Sequence, residues 1–310
     1  RNRERFDAHK LIEEFMILAN VAAAETLEVK RRPLLYRVHE EPNREKIDAL
    51  RVIAEESGYA LAKGEVIKTR HLNALLDAAA GGADAELIGM AVLRSMTQAY
   101  YAPENFGHFG LHLRAYAHFT SPIRRYADLI VHRALIAAHG WGPDGQTMEE
   151  AAELRDIAEH ISMTERRSME AERDTTDRYL SAYLADRVGA EFEGRVSGVA
   201  RFGLFVKLDE TGADGFVPIS ALGDEWFRHD EARAALVGER TGKTLSMGAR
   251  ALVRLVEAAP LTGGLLFELI EAEGFGKPGR TGRRGEAPRR RAGAAKARNL
   301  KAKKRDRRGR

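Results

Sequence analysis

The sequence predicts an α+β chain in which a mainly helical region is followed by a small five-stranded β-barrel and a basic tail. Three observations carry that expectation. Apolar residues recur at helical spacing up to about Gly189 and alternate along the chain from Ala190 onward. Five short alternating segments, punctuated by glycine, fall between residues 189 and 273. The charge is also split. Residues 275–310 hold 16 Lys/Arg against Glu286 and Asp306, a net of +14, whereas residues 1–274 hold 34 basic and 44 acidic side chains, a net of −10. An acidic body with a basic arm is the pattern of a chain that meets a polyanion.

The 310 residues leave room for about two domains, and 44% hydrophobic content is enough for a real core. The lack of cysteine excludes disulfides. No apolar run approaches 18 residues, so a membrane span is not expected. The protein is expected to be a cytoplasmic monomer without a membrane partner. The start, Arg1-Asn2-Arg3-Glu4-Arg5, has no initiator Met and no signal-type apolar stretch after it, and reads as a point inside a longer protein.

The first predicted helix runs from Phe6 to about Lys30, with Leu11, Phe15, Leu18 and Ala22 on one stripe, Asp7 as its N-cap and Pro33 closing it. Leu34–Val38 is strand-like. Helical segments follow over 44–56, 71–80 and 85–100, with Gly81-Gly82 as a break, and 101–119 reads as irregular. Ser121 and Pro122 have the residue types of an N-cap and a first helical position, predicting a helix to about Ala138 with Gly140 as its stop. Thr147 and Glu150 have capping-box spacing and open a long charged helix ending near Gly189.

The five candidate strands are 192–199, 203–208, 215–219, 249–256 and 265–270, a count and spacing that suit an OB-type barrel. Trp226 and Phe227, in the long connection after the third, are expected to pack. After Gly274 the chain is poor in apolar residues and is expected to be disordered.

The densest chemistry lies between Gly107 and Arg133. A helix opened by Ser121 would present free amide groups to an anion, with Arg124 in its first turn as a bidentate donor. Tyr116, Phe119 and Tyr126 could stack bases beside it. The plain alternative is that Arg124 and Asp128, four apart, form a surface ion pair of only ~0.3–0.5 kcal/mol. His108, His118 and His132 lack zinc-like spacing and read as hydrogen-bonding scaffold. Glu13, Met16 and Asn20 share one helical face.

This stretch, Tyr116-Ala117-His118-Phe119-Thr120-Ser121-Pro122-Ile123-Arg124-Arg125-Tyr126-Ala127-Asp128 with Val131-His132-Arg133, resembles the signature of the ribonuclease II/R (RNB) family of processive exoribonucleases. Leu11–Asn20 and Leu93–Tyr100 are similar to two of its helices. The resemblance implies that residues 1–188 are the C-terminal part of an RNB catalytic domain. It implies that Arg124 grips the scissile phosphate, that Glu13 reads a ribose 2′-hydroxyl, and that Glu172 lies near the RNA channel, with Ser121 and Tyr126 expected among the RNA-binding residues. Set beside those roles are a solvated helix-start carboxylate for Glu13 and an ordinary charged helix face for Glu172. The family's chemistry uses magnesium held by clustered aspartates. Asp128, Asp174 and Asp177 lack that spacing, so no metal ligands are expected in this chain and the magnesium site is expected upstream.

Residues 189–273 resemble the RNA-binding OB domain named after ribosomal protein S-one, through Arg195–Val199, Phe202–Val206 and Gly215–Ser220. Phe202, Phe205 and Phe216 would stack bases, with Arg195, Arg201 and Lys207 on phosphates; at least one of the three Phe is expected in the barrel core. Pro218 stands where many such domains carry His. The tail, 274–310, would tether RNA or dock the ribosome or the RNA-degradation machinery. The barrel and tail point to the ribonuclease R branch. The resulting expectation is a 3′→5′ exoribonuclease acting on single-stranded and structured RNA, with this chain alone inactive. The alternatives are a non-catalytic RNA-binding protein and, more remotely, a translation-associated OB protein.

Overall fold

The structure is a computed structural model that describes residues 4–62, 67–82, 84–231 and 233–278. The arm expected to be disordered lies, from residue 279 onward, outside the described residues.

Helix α1 spans Asp7–Val29. Its entry differs from the expectation: the Phe6 N–H donates to His9 Nδ1 at 3.0 Å, so Phe6 takes the cap position. Asp7 then sits in the first turn, where the helix dipole favours a carboxylate. Only Asn20, Ala23, Ala24 and Leu27 of α1 are buried, and the Leu11–Phe15–Leu18 stripe is exposed. The buried end packs on strand β1 (Tyr36–Val38), strand β2 (Tyr100–Ala102) and helix α5 (Tyr126–His139) through Leu34, Val38, Ala102, Val131 and Ala134. β1 and β2 pair antiparallel, Arg37 opposite Tyr101.

Helices α2 (Arg44–Glu56), α3 (Thr69–Ala79) and α4 (Ala85–Ser95) form a second layer around Ile47, Leu50, Leu72, Leu75, Ile88 and Val92. Asn43 caps α2 by accepting the Lys46 N–H at 2.8 Å. α4 ends earlier than its periodicity predicts. Ser95 Oγ donates back to the Val92 carbonyl at 2.7 Å, competing with the helix ladder, and Met96 is extended. The residues expected to continue the helix instead enter β2.

α5 also departs from the prediction, beginning at Tyr126 rather than Ser121. Helix α6 (Met148–Ala152) opens with the Thr147–Glu150 capping box, made in both directions at 3.2 and 2.9 Å. Helix α7 (Leu154–Leu184) buries Leu154 and Ala158 against Leu35, Tyr101 and Ile130 at one end and Leu184 in the barrel at the other. Between these anchors residues 166–176 are exposed on every face.

The barrel closes in the order β10 (Gly264–Ala272), β5 (Asp214–Pro218), β4 (Gly203–Leu208), β3 (Glu191–Ala200), β9 (Arg250–Ala259). Phe192, Val196, Leu204, Val206, Val217, Val253, Leu255 and Phe267 fill it. Gly215 is required there, because a Cβ would lie 2.1 Å from the Phe267 ring. The connection after β5 is not merely a loop. It carries a second sheet of β6 (Phe227–Asp230), β7 (Ala235–Gly238) and β8 (Thr244–Ser246). Phe227 packs on Phe275 at 5.9 Å between ring centroids. Phe275, placed by composition in the tail, is buried in the barrel cluster, because its ring closes the space under β6. Trp226, expected to pack, is 84% exposed.

The barrel docks on the second helical layer. Met247 is buried in the α2–α4 cluster, Arg195 pairs with Glu86 at 2.7 Å, and Arg94 donates to the Ser197 carbonyl at 2.5 Å. Among the described residues no helix is long and apolar enough to cross a membrane.

Candidate functional site

A cavity of about 480 Å³ opens between α1 and the chain that leads into α5, lined among others by Glu13, Met16, Asn20, Tyr116, Thr120 and Arg125. Asn20 builds it. An asparagine inside a helix competes with the ladder unless it has a tertiary task. Asn20 is 2% exposed, its Oδ1 accepts the N–H groups of Phe119 and Thr120 at 2.9 and 3.2 Å, and its Nδ2 donates to the Tyr116 hydroxyl at 2.9 Å. The far side of that strand is held by His132, whose Nε2 meets the Phe119 carbonyl at 2.9 Å and whose ring stacks on Phe119 at 4.3 Å. Thr120 Oγ1 is buried and has no hydrogen-bond partner among the described residues.

Residues 121–125 then form a turn, not a helix. The Ser121 carbonyl accepts both Arg124 N–H and Arg125 N–H at 3.2 Å, and Arg125 is extended. The reason is Asp128. Its fully buried carboxylate accepts the Ser121 N–H at 2.7 Å and pairs with the Arg125 guanidinium at 2.8 Å. Ser121 is therefore not an N-cap, and the ion pair that spacing offered to Arg124 is made by Arg125. Arg124 stands exposed on the turn, its Nη2 3.5 Å from Ser121 Oγ, with no carboxylate partner among the described residues. Glu13 lines the cavity from α1 and is ion-paired with Arg5. α1 and the turn thus bring Glu13, Thr120 and Arg125 to one opening, with Arg124 on the adjoining turn.

Two candidates are not brought there. Tyr126 lines a separate crevice with Ile130, Arg133, Gln146 and Glu150, because as the first residue of α5 it turns toward α6. Glu172 lies on the exposed middle of α7, outside the cavity lining.

The histidines brace the walls. His118 Nδ1 meets the Tyr101 hydroxyl at 2.9 Å, and burial together with the nearby Arg125 and Arg37 charges pushes its pKa down to about 3. Burial and His39 lower His108 to about 4. Both are neutral at pH 7, which suits bracing better than acid-base work. Among the described residues no group of three or more His, Cys, Asp or Glu is placed to hold a metal ion. Asp128, the one aspartate beside the turn, is already taken by Ser121 and Arg125. The donor set does not fit a divalent cation.

On the barrel, Phe205 and Phe216 lie directly opposite on β4 and β5. With Phe202 they form a cluster with ring centroids 5.5–6.3 Å apart. None of the three belongs to the barrel core, against the expectation that one would. Period-two alternation puts Leu204 and Val206 inside and Phe205 outside, and Phe267 fills the interior instead. Lys207 is exposed on the same face as Phe205. Arg195 is not free for phosphate: its guanidinium is held by Glu86 and by the Gly248 carbonyl at 3.4 Å.

Residues 1–140 match the model for the RNB domain, and residues 185–257 that for the S1 RNA binding domain. The chain is 43% identical over 279 residues to ribonuclease R of Escherichia coli (strain K12), covering 87% of this chain and 34% of that protein. It is 41% identical over 268 residues to ribonuclease R of Aquifex aeolicus (strain VF5), covering 86% and 38%. The chain thus spans about a third of the length of these relatives. Among solved structures, Mycoplasma genitalium RNase R in complex with ribose-methylated single-stranded RNA superposes with a TM-score of 0.79 at 29% identity, over 86% of this chain and 42% of that one.

Proposed function

Because the chain belongs to the RNB family of ribonucleases, we propose that the whole protein is a 3′→5′ exoribonuclease of the ribonuclease R type and that this chain supplies one wall of its active site. The reaction is hydrolysis. Water adds to the phosphorus of the 3′-terminal linkage, the P–O3′ bond breaks, and a nucleoside 5′-monophosphate leaves while the shortened RNA regains its 3′-hydroxyl. The observation that carries the proposal is the cavity joining Glu13 on α1 to Thr120 and Arg125, with Arg124, which has no carboxylate partner among the described residues, on the adjoining turn.

In this reading the Arg124 guanidinium holds the non-bridging oxygens of the scissile phosphate, where negative charge grows in the transition state. Glu13 accepts the ribose 2′-hydroxyl, exchanging its present partner Arg5 for the sugar. Ser121 orients Arg124, and Tyr126 and Glu172 contact RNA farther along the path. The Phe202–Phe205–Phe216 face with Lys207 takes single-stranded RNA by stacking, and Arg195 would join only by releasing Glu86. Residues 1–188 form the catalytic part, 189–273 the RNA-binding barrel and 274–310 a basic arm for structured RNA, the ribosome or the degradation machinery. The protein works as a cytoplasmic monomer. Magnesium is the metal, held by residues other than those described.

A second reading, a non-catalytic RNA-binding protein, rests on the Phe202–Phe205–Phe216 face, which would take RNA without any chemistry at the cavity. One experiment separates the two. The whole protein is given 5′-labelled single-stranded RNA with magnesium, and the 310-residue chain is assayed beside it. Stepwise shortening from the 3′ end with release of mononucleotides by the whole protein, and RNA binding without turnover by the chain, supports the first reading. Binding without shortening by both supports the second.

A further inference from the structure

Trp226 is the largest exposed aromatic in the described structure that no ring contact accounts for. The indole is 84% exposed, yet its backbone is fixed. The Trp226 carbonyl accepts the Glu239 N–H at 2.9 Å. The preceding Glu225 carboxylate accepts the N–H groups of Arg240 and Thr241 at 3.1 and 3.0 Å and the Thr241 hydroxyl at 2.8 Å. A hydrogen-bonded turn therefore presents an apolar ring to solvent, a costly arrangement with no structural return among the described residues.

The β6–β8 sheet explains the direction in which the ring points. Alternation along β6 turns Phe227 and His229 toward the barrel, opposite Gly238 and the buried Leu236. Trp226 and Arg228 fall on the outer face, and Arg240 follows on the adjoining turn. The Arg228 guanidinium is 60% exposed, with only a loose 3.6 Å contact to Asp230. The Glu225 carboxylate is consumed by its turn, which leaves Glu239, opposite Trp226, and Asp230, beside Arg228, as acidic neighbours on this face. Bare electrostatic attraction is therefore weak here, and stacking has to carry any binding.

Trp226 is also close along the chain to the phenylalanine face. The Ile219 N–H donates to the Phe202 carbonyl at 2.9 Å, and the seven Cα-to-Cα steps from Ile219 to Trp226 can span at most about 25 Å. We propose that Trp226 is a further base-stacking residue, with Arg228 and Arg240 on the adjoining phosphates, and that it carries single-stranded RNA from the Phe202–Phe205–Phe216 face onto the inserted sheet. This rests on the RNA-binding reading of the barrel and adds to it a second surface outside the five barrel strands.

The chain contains two tryptophans, Trp141 and Trp226, so a W141F chain reports on Trp226 alone. Oligoadenylate should quench its emission saturably. W226A should weaken binding about 5- to 100-fold, the range expected for one stacked base, and W226F should restore most of it. An oligomer abasic along its length should bind W226A and its parent equally. Unchanged emission at saturation, with W226A binding like its parent while F205A is impaired, overturns the inference and leaves the barrel reading standing. Neither F205A nor W226A mattering overturns both. Emission silent with RNA but shifted on self-association, with W226A abolishing the dimer, assigns the face to protein and overturns the inference as well.

Discussion

Asp128 reaches back across the start of α5 to fix Ser121: its Oδ2 accepts the Ser121 N–H at 2.7 Å while the same carboxylate pairs with Arg125. This contact keeps residues 121–125 out of the helix and leaves Arg124 standing on a turn. A buried, hydrogen-bonded carboxylate is costly to lose, because the cation it served remains. D128A is expected to cost about 3–5 kcal/mol and to lower the melting temperature by roughly 6–20 °C. Thermal unfolding checks this; a D128A chain as stable as its parent would remove Asp128 as the organiser of the turn.

The histidines make acid stability readable. The unfolded imidazoles of His108 and His118 take up protons near 6.5, while the folded ones resist until about 4 and about 3. Between those limits the unfolded state binds more protons, so stability rises with pH and falls as the solution is acidified below about 6.5. Melting temperatures between pH 6.5 and 5, above most carboxylate titration, should fall. The slope should flatten in H108Q/H118Q; an identical slope would mean that these rings titrate normally.

Glu13→Ala, in the whole protein, is expected to relax discrimination between RNA and DNA, since the 2′-hydroxyl would lose its acceptor. The check is the ratio of degradation rates for matched RNA and DNA oligomers. An unchanged ratio would leave Glu13 as the partner of Arg5 and nothing more.

F205A and F216A should each weaken binding of single-stranded RNA by about 5- to 100-fold without a comparable loss of stability. Both rings lie outside the barrel core, so binding isotherms and melting curves should separate. A large loss of stability with little change in affinity would make them packing residues.

Much of the architecture was legible because periodicity reports burial. The 3.6-residue pattern located most of the helices, and alternation located the five barrel strands. What escaped was decided by tertiary contacts. Ser121-Pro122 has the local chemistry of a helix start, but a carboxylate seven residues on claims the Ser121 amide. Met96–Tyr100 is compatible with helix, but a Ser95 back-bond and pairing with β1 draw the chain into a strand. The second sheet was missed because its strands are only three or four residues long, too short for alternation to show. Around the cavity, Glu13 and Arg124 are legible by resemblance, whereas Asn20, which ties α1 to the turn, reads in the sequence only as a neighbour on a helical face. A lone polar residue amid Ala and Leu was the signal available.

The role proposed for the Arg124 guanidinium, on the Ser121–Arg125 turn, is to hold the phosphate about to be cut. The most direct test is Arg124→Ala in the whole protein, with RNA affinity and single-turnover cleavage measured on the same oligomer. That role requires cleavage to slow by about a hundredfold or more, with affinity changed only a few-fold. Cleavage at the parental rate, with binding weakened or untouched, would contradict it.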